Sequence, residues 1–227
     1  MTARVEMIVP RAADPGLRVC SEAWADCLRE AGHEVSSVDA AEISGDATPV
    51  IVSPHAALAP LADDPLRIAG LLGRAVCVST SRLASGALGA DRPYQRAAAA
   101  SVSLSRDAAR YLSAHAAPTA HLKPGSHSRL RSGQGGERTV TVGAQVRYSS
   151  YREDVIARSR DVLDPCACDL RITHSAEDRP LGQLTGDDWL AWLARLDVLV
   201  SLPSEPGPGS DWCELAPAVM NGAVVAT

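Results

Sequence analysis

Several patterns that would assign this sequence to a functional class are missing from it. Its 227 residues carry a net charge of −5 and contain no cluster of lysine and arginine, so they offer no basic face to nucleic-acid phosphates. No apolar run approaches the roughly 20 residues of a membrane-spanning helix, and the first residues lack the order of a signal peptide. We therefore expect a soluble cytoplasmic protein with no nucleic-acid partner and no transmembrane segment.

Motifs of cofactor, metal and hydrolase sites are missing as well. The sequence contains no G-x-G-x-x-G fingerprint, no P-loop and no G-x-S-x-G elbow, which argues against the usual NAD, ATP and serine-hydrolase sites. Its six cysteines show no disulfide spacing and are typical of buried small hydrophobes in a reducing compartment. Cys166 and Cys168 precede His174, but alternate residues of a strand point apart, so we expect no metal site.

What the sequence does contain is an alternation of short β-branched runs with amphipathic helical runs. Strand-like 5–9, helix-like 17–30 and strand-like 34–38 form a βαβ unit, which implies a parallel sheet. The alternation continues to about Leu122, with further strands predicted at 49–53, 75–79, 101–104 and 119–122 and helices at 61–72, 94–100 and 105–115. The spacing predicts one α/β domain over 1–130.

A Gly/Ser-rich segment at 131–137 interrupts this pattern and is predicted to be a linker. After it the alternation resumes, with strands predicted at 138–143, 169–173, 197–201 and 223–226 and helices at 151–163, 187–194 and 211–220. The fold class predicted from this order is α/β, with two Rossmann-like lobes built on parallel sheets and the second lobe occupying 138–227.

The last thirty residues combine a buried strand, an acidic loop, a helix and a final strand. Glu205, Asp211 and Glu214 follow the strand at 197–201, and parallel sheets bind ligands at the carboxyl ends of their strands. With Asn221-Gly222 and the following apolar strand, this stretch resembles the nucleotide-binding half of GT-B type (two-Rossmann) nucleotide-sugar glycosyltransferases. Residues 31–35 and 100–108 resemble structural signatures of the same enzymes.

This resemblance implies a metal-independent enzyme, without a cofactor, that transfers a sugar from a nucleotide sugar to a small-molecule or glycan acceptor. Arg147 and Arg152 occupy the place of the family's basic loop after the first strand of the second lobe. A departing diphosphate accumulates negative charge, which guanidinium groups and helix amino termini stabilise. Alternatively, either arginine is solvated or pairs with Glu153 or Asp154, as is ordinary near a helix start.

The same comparison assigns donor binding to Glu205, Asp211 and Glu214, since a carboxylate can accept hydrogen bonds from two ribose hydroxyls. The alternative for Asp211 and Glu214 is helix capping. On the first lobe, Gly16 lies in the loop where the family faces its acceptor. His55 follows a predicted strand and is the candidate catalytic base for an acceptor hydroxyl, although a single loop histidine is more often plain surface.

A second interpretation is a non-catalytic or degenerate nucleotide- or sugar-binding module of the same fold. The position that matches the family's second glutamate is Pro217, which cannot accept ribose hydroxyls through its side chain. The resembling enzymes also continue beyond the position of Thr227, so we expect a short or truncated member.

Overall fold

A computed structural model of the protein describes residues 2–11, 13–81, 86–123, 125–133, 141–173, 184, 186–202 and 212–226. The chain divides into two compact units, Met1–Arg11 with Ser21–Pro124 and Ala12–Cys20 with Gly125–Thr227. Each unit contains its own parallel sheet, one of six strands and one of four. The prediction of an α/β protein with two parallel, Rossmann-like sheets is confirmed.

The sheet of the first unit has the strand order β2-β1-β3-β4-β5-β6. Its strands are β1 (Arg4–Ile8), β2 (Glu34–Ser37), β3 (Thr48–Val52), β4 (Val76–Ser79), β5 (Ala100–Ser103) and β6 (Thr119–His121). The central strands carry apolar side chains on both faces because helices cover a parallel sheet on both sides. Ile51 and Cys77, for example, are fully buried.

Among the described residues, five α-helices connect these strands. They are α1 (Pro15–Glu30), α2 (Pro54–Ala57), α3 (Pro65–Leu72), α4 (Gly86–Ala97) and α5 (Arg106–His115). Local capping fixes where two of them begin: the Asp64 carboxylate accepts a 3.0 Å hydrogen bond from Arg67 N, and the Ser105 hydroxyl accepts from Ala108 N. Both bonds satisfy amide groups that a helix start leaves without a partner.

The sheet of the second unit has the order β10-β9-β7-β8. Its strands are β7 (Val142–Arg147), β8 (Asp169–Thr173), β9 (Val198–Val200) and β10 (Val224–Ala226), and the helices of this part are α6 (Ser150–Arg158), α7 (Arg160–Leu163), α8 (Gly186–Leu193) and α9 (Trp212–Met220). Trp192, Leu193, Leu196 and Leu199 form much of the buried interior. The Trp192 indole N–H donates to Asp169 at 2.8 Å, so this large side chain is buried with its polar atom bonded.

Several predicted elements have different limits in the structure. The helix predicted at 94–100 begins at Gly86 and ends at Ala97, because packing of Leu88 and its neighbours outweighs the poor helix propensity of the glycines and of Pro93. The helix predicted at 151–163 is two helices that meet at Ser159. The strand predicted at 138–143 runs instead over Val142–Arg147, with 138–140 outside the described residues.

The division between the units falls after Pro124, so 125–133 group with the second sheet. The predicted linker at 131–137 lies only partly within the described residues. Which residues connect the units therefore stays a prediction.

Candidate functional site

In the second unit, two strands that are far apart in sequence end side by side. β7 and β9 pair in parallel through Val142 with Val198 and Gly143 with Leu199. The turn that leads from β7 into α6 and the segment that leaves β9 therefore lie at the same carboxyl edge. Ligands of open α/β sheets bind at such an edge.

Arg152 lies in the first turn of α6 at this edge. The Ser149 hydroxyl caps the helix by accepting from Arg152 N at 3.2 Å. The Arg152 side chain reaches the neighbouring connection, where its Nε donates to the Leu202 carbonyl at 2.8 Å. A half-buried guanidinium thus lies beside the amino terminus of α6. Both are electropositive, and together they favour an anionic ligand.

Glu214 lies in the first turn of α9 and contacts the same connection. Its Oε2 accepts a 2.9 Å hydrogen bond from the hydroxyl of Ser201, which is buried and directly follows β9. Arg152 and Glu214 therefore bond to consecutive residues, Leu202 and Ser201. The structure brings together at one strand end two of the five predicted donor-site residues.

The other three donor-site predictions are not tested by side-chain geometry. Arg147 is the last residue of β7, and its side chain is outside what the structure describes. The expectation that Arg147 lies in a loop was wrong, because 143–147 are strand and only Tyr148 and Ser149 separate β7 from α6. Glu205 and Asp211 lie outside the described residues.

Gly16 lies in the first turn of α1 and not in a loop, which corrects the sequence expectation. A Cβ added to Gly16 would lie 2.5 Å from the carbonyl oxygen of Cys213, so only glycine fits against α9. This contact is possible because Pro217 has no N–H, so it makes no helical hydrogen bond to the carbonyl of Cys213, four residues earlier. The Cys20 thiol, one turn from Gly16, donates to that oxygen at 3.6 Å. Acceptor binding by Gly16 stays a prediction.

Pro217 itself is buried inside α9. Where the helix ends, the Asn221 side chain makes three hydrogen bonds. Its amide nitrogen donates to the carbonyls of Pro217 and Leu130 at 2.7 and 2.8 Å, and its oxygen accepts from Ser132 N at 2.7 Å. Gly222 follows in the left-handed conformation at φ 85°, as is usual after a helix. The Asn-Gly pair is thus explained by helix termination.

His55 belongs to the carboxyl edge of the first unit's sheet. It follows β3 in the short helix α2, its side chain is exposed, and its ring lies 6.0 Å from that of Tyr94. Its backbone N–H donates to Asp91 Oδ1 at 3.0 Å. The structure therefore places His55 at a sheet edge, and its catalytic role stays a prediction.

Asp91 was missed by the sequence analysis. It lies on the buried face of α4 between Leu88 and Gln95 and is only 2% exposed. Burial raises the pKa of its carboxyl to about 6, against the opposite effect of the His55 amide. The spacing of Leu88, Asp91 and Gln95 on one helical face is the signal that could have shown it, since carboxyls on buried faces are rare and often functional.

No protein-family model and no curated protein sequence matches this chain. Among solved structures, the chain is similar to an alpha-glucosyltransferase in complex with UDP and a 13-mer DNA containing a HMU base. The match covers 99% of this chain and 79% of that chain, with a TM-score of 0.50 and 9% sequence identity.

The two parallel sheets together with this likeness show a fold of the GT-B type, glycosyltransferase-like in architecture. The resemblance stated from the final sequence motif is thereby confirmed at the level of fold. Within the described part of the chain, no helix is both long and apolar enough to cross a bilayer.

Proposed function

We propose that this protein binds a nucleotide sugar at the carboxyl edge of the second unit's sheet and transfers the sugar to an acceptor hydroxyl. The observation that carries the proposal is the convergence of Arg152 and Glu214 on Leu202 and Ser201, at 2.8 and 2.9 Å. In a nucleoside diphosphate, the cation suits the negatively charged diphosphate and the carboxylate suits the hydroxyls of the ribose.

The cation serves the diphosphate. Negative charge develops on the leaving oxygens as the glycosidic bond breaks, and groups already oriented toward them stabilise that charge without reorganisation. Arg152 is held by its bond to Leu202 and stands at the amino terminus of α6. We propose that Arg152, with Arg147, performs this role in place of a metal ion.

The carboxylate serves the ribose. A carboxylate can accept hydrogen bonds from more than one hydroxyl, and Glu214 is shown to accept from one hydroxyl, that of Ser201. In the first unit, the exposed imidazole of His55 is proposed as the base for the acceptor hydroxyl. A glycan or small molecule is the acceptor class we propose, and a DNA acceptor is the alternative that the similar structure raises.

Calorimetric titration with UDP and with inorganic diphosphate tests the donor site. Alanine at Arg152 or Arg147 is expected to weaken UDP binding by about 1.5–3 kcal/mol, the range for hydrogen bonds to charged groups. Glu214→Gln is expected to weaken UDP and to leave inorganic diphosphate unchanged, because only UDP has ribose hydroxyls. Arg158→Ala is the matched control, since Arg158 lies on the same helix and pairs with Asp154.

If UDP affinity is unchanged in both the Arg152 and the Arg147 variant, the diphosphate assignment is wrong. Equal weakening of UDP and inorganic diphosphate by Glu214→Gln would contradict the ribose assignment. UDP binding without sugar transfer to any oligosaccharide or DNA acceptor would instead support the non-catalytic binding module.

A further inference from the structure

The carboxyl edge of the first unit's sheet contains three features that cost stability. Ser53 adopts the left-handed conformation at φ 49°, which is strained for any residue but glycine. The Ser79 hydroxyl is fully buried and makes no hydrogen bond of ordinary geometry within the described residues, although it lies close enough to Asp91 to lower the pKa of that carboxyl slightly. The Asp91 carboxyl is buried beside them. Such costs at one sheet edge mark a place selected for something other than stability.

Asp91 performs the capping that Ser53 does not. Ser53 precedes α2, but its hydroxyl pairs with Thr80 Oγ1 at 2.7 Å and, among the residues described, does not cap the helix. Pro54, the first helical residue, has no N–H to satisfy. The next amide is that of His55, and it donates to Oδ1 of Asp91. Asp91 lies in α4, 36 positions further along the chain.

This contact fixes the backbone that carries the imidazole. The turn from β3 into α2 has one strained residue and a helix of only four residues, Pro54–Ala57, which cannot be stable by itself. The second Asp91 oxygen accepts from Ser81, which follows β4, at a long 3.5 Å. The carboxyl thus connects the ends of two adjacent strands to α4.

We propose that Asp91 is a positioning residue, which holds the His55 turn at the sheet edge through the hydrogen bond from the His55 amide. This inference rests on the proposed function in so far as His55 acts on the acceptor. Asp91 acts through His55 and does not touch the substrate, since its carboxyl is buried.

Amide hydrogen exchange of His55, measured by NMR, tests the positioning role without reference to activity. Asp91→Ala is expected to speed exchange at His55 at least about tenfold relative to Ile51 in β3, because it removes a hydrogen bond to a charged acceptor. Asp91→Asn keeps an acceptor oxygen and is expected to restore most of the protection. Asp91→Glu keeps the charge but displaces the oxygens, so it should reproduce the loss even if Asp91→Ala does not fold.

Glu6→Gln is the matched control. Glu6 is another acid of the first unit that is 2% exposed, and it accepts from the Ser44 amide and hydroxyl, both at 2.8 Å. It should leave His55 exchange unchanged. Unchanged exchange in Asp91→Glu and Asp91→Ala, or the same loss in Glu6→Gln, would overturn the proposal.

Sugar transfer supplies a second readout. With the wild type active, Asp91→Glu is expected to lower kcat and to leave the donor KM unchanged, and Asp91→Asn is expected to recover most of kcat. A change in donor KM alone would overturn the link from Asp91 to acceptor chemistry. An inactive wild type would count against the proposed function, while the exchange measurement would still decide whether Asp91 positions the turn.

Discussion

Asp91, at the carboxyl edge of the first sheet, is buried. Glu214 and Arg152, at the carboxyl edge of the second sheet, are only half-buried. Asp91 contacts a backbone amide, whereas Glu214 and Arg152 contact the hydroxyl and carbonyl that follow β9. Both edges have the geometry of parallel strands that end together. The two edges therefore differ in how deeply their charged groups are buried, and we propose that this depth decides which of them binds a ligand.

A buried carboxyl organises its own chain, because it has no exposed acceptor for a ligand. A half-buried cation and a half-buried carboxylate lie closer to the surface, which is consistent with the proposed ligand that has both hydroxyls and phosphates. The comparison therefore agrees with the proposals of a positioning role for the acid at the first edge and of ligand binding at the second.

The largest expected effect is the pH dependence of stability that follows from the burial of Asp91. Its pKa is raised from the usual 3.8 to about 6, so the folded state holds the proton more tightly than the unfolded state. Stability must then fall as pH rises from about 4 to about 6, and above that window the penalty is about 3 kcal/mol. Asp91→Asn is expected to remove this slope and to be more stable than the wild type at pH 8 by up to about 3 kcal/mol. Urea unfolding of both proteins from pH 4 to pH 8 measures it.

A constant difference between the two proteins over that range would show that Asp91 is not buried as described. The two edges would then no longer differ in the depth of their acids.

A smaller effect is expected from the close contact between Gly16 and the backbone of Cys213, the residue before Glu214. Gly16→Ala places a methyl group against the Cys213 backbone, so α9 must shift, and overpacking of this kind costs about 1–3 kcal/mol. UDP binding should weaken as well, because Glu214 follows Cys213. Gly89→Ala is the control: nothing lies within 4 Å of a Cβ at Gly89 in α4, and alanine gains roughly 1 kcal/mol in a helix. Equal melting temperatures for the two variants would contradict the predicted contact.

Removal of the hydroxyl that holds Glu214 is expected to have a still smaller effect. Ser201→Ala deletes the 2.9 Å hydrogen bond and should cost about 1 kcal/mol of stability. It should weaken UDP binding less than Glu214→Gln does, since the carboxylate remains. Ser101→Ala removes a comparably buried strand serine of the first unit and should leave UDP affinity unchanged. If both serine variants bind UDP like the wild type, Ser201 has no part in orienting Glu214.

The smallest effect is expected at the exposed rim of the second edge. The Tyr148 hydroxyl donates to Glu153 at 2.7 Å, and this bond, followed by the charge of Glu153, raises the tyrosine pKa above its usual value. Glu153→Gln should return the Tyr148 pKa toward normal in an ultraviolet titration and leave the melting temperature unchanged, because exposed pairs contribute little. A clear loss of stability would show that this rim is more rigid than its exposure indicates.

Much of the architecture could be predicted from residue patterns. The apolar runs near β1 and β3 and the amphipathic stretch of α1 have the periods of strand and helix, so the βαβ order was predictable. The start of α4 was not, because Gly86, Gly89 and Pro93 favour a break, and only packing of its buried face overrides them. The position of β7 was missed although Val140, Val142, Ala144 and Val146 lie at every second position of 138–147, because such alternation shows that a stretch is strand-like but does not show at which residue the strand begins or ends.

The candidate site divides in the same way. That Glu214 and Arg152 lie near strand ends followed from their places in the alternation. Their contacts with Ser201 and Leu202 did not, because pairing between strands far apart in sequence sets them. The hydrogen bond between His55 and Asp91 could not be predicted for the same reason, since the two residues are 36 positions apart.

The sequence by itself determined the α/β class and the acidic segment that follows β9, since these depend on the periodicity and order of local residues. Tertiary structure alone decided which groups are buried and which backbones touch. Gly16 is required as glycine by a carbonyl at Cys213, and that carbonyl lacks a helical donor because of Pro217. Such requirements join residues at opposite ends of the chain, and no local pattern records them because they exist only after the chain has folded.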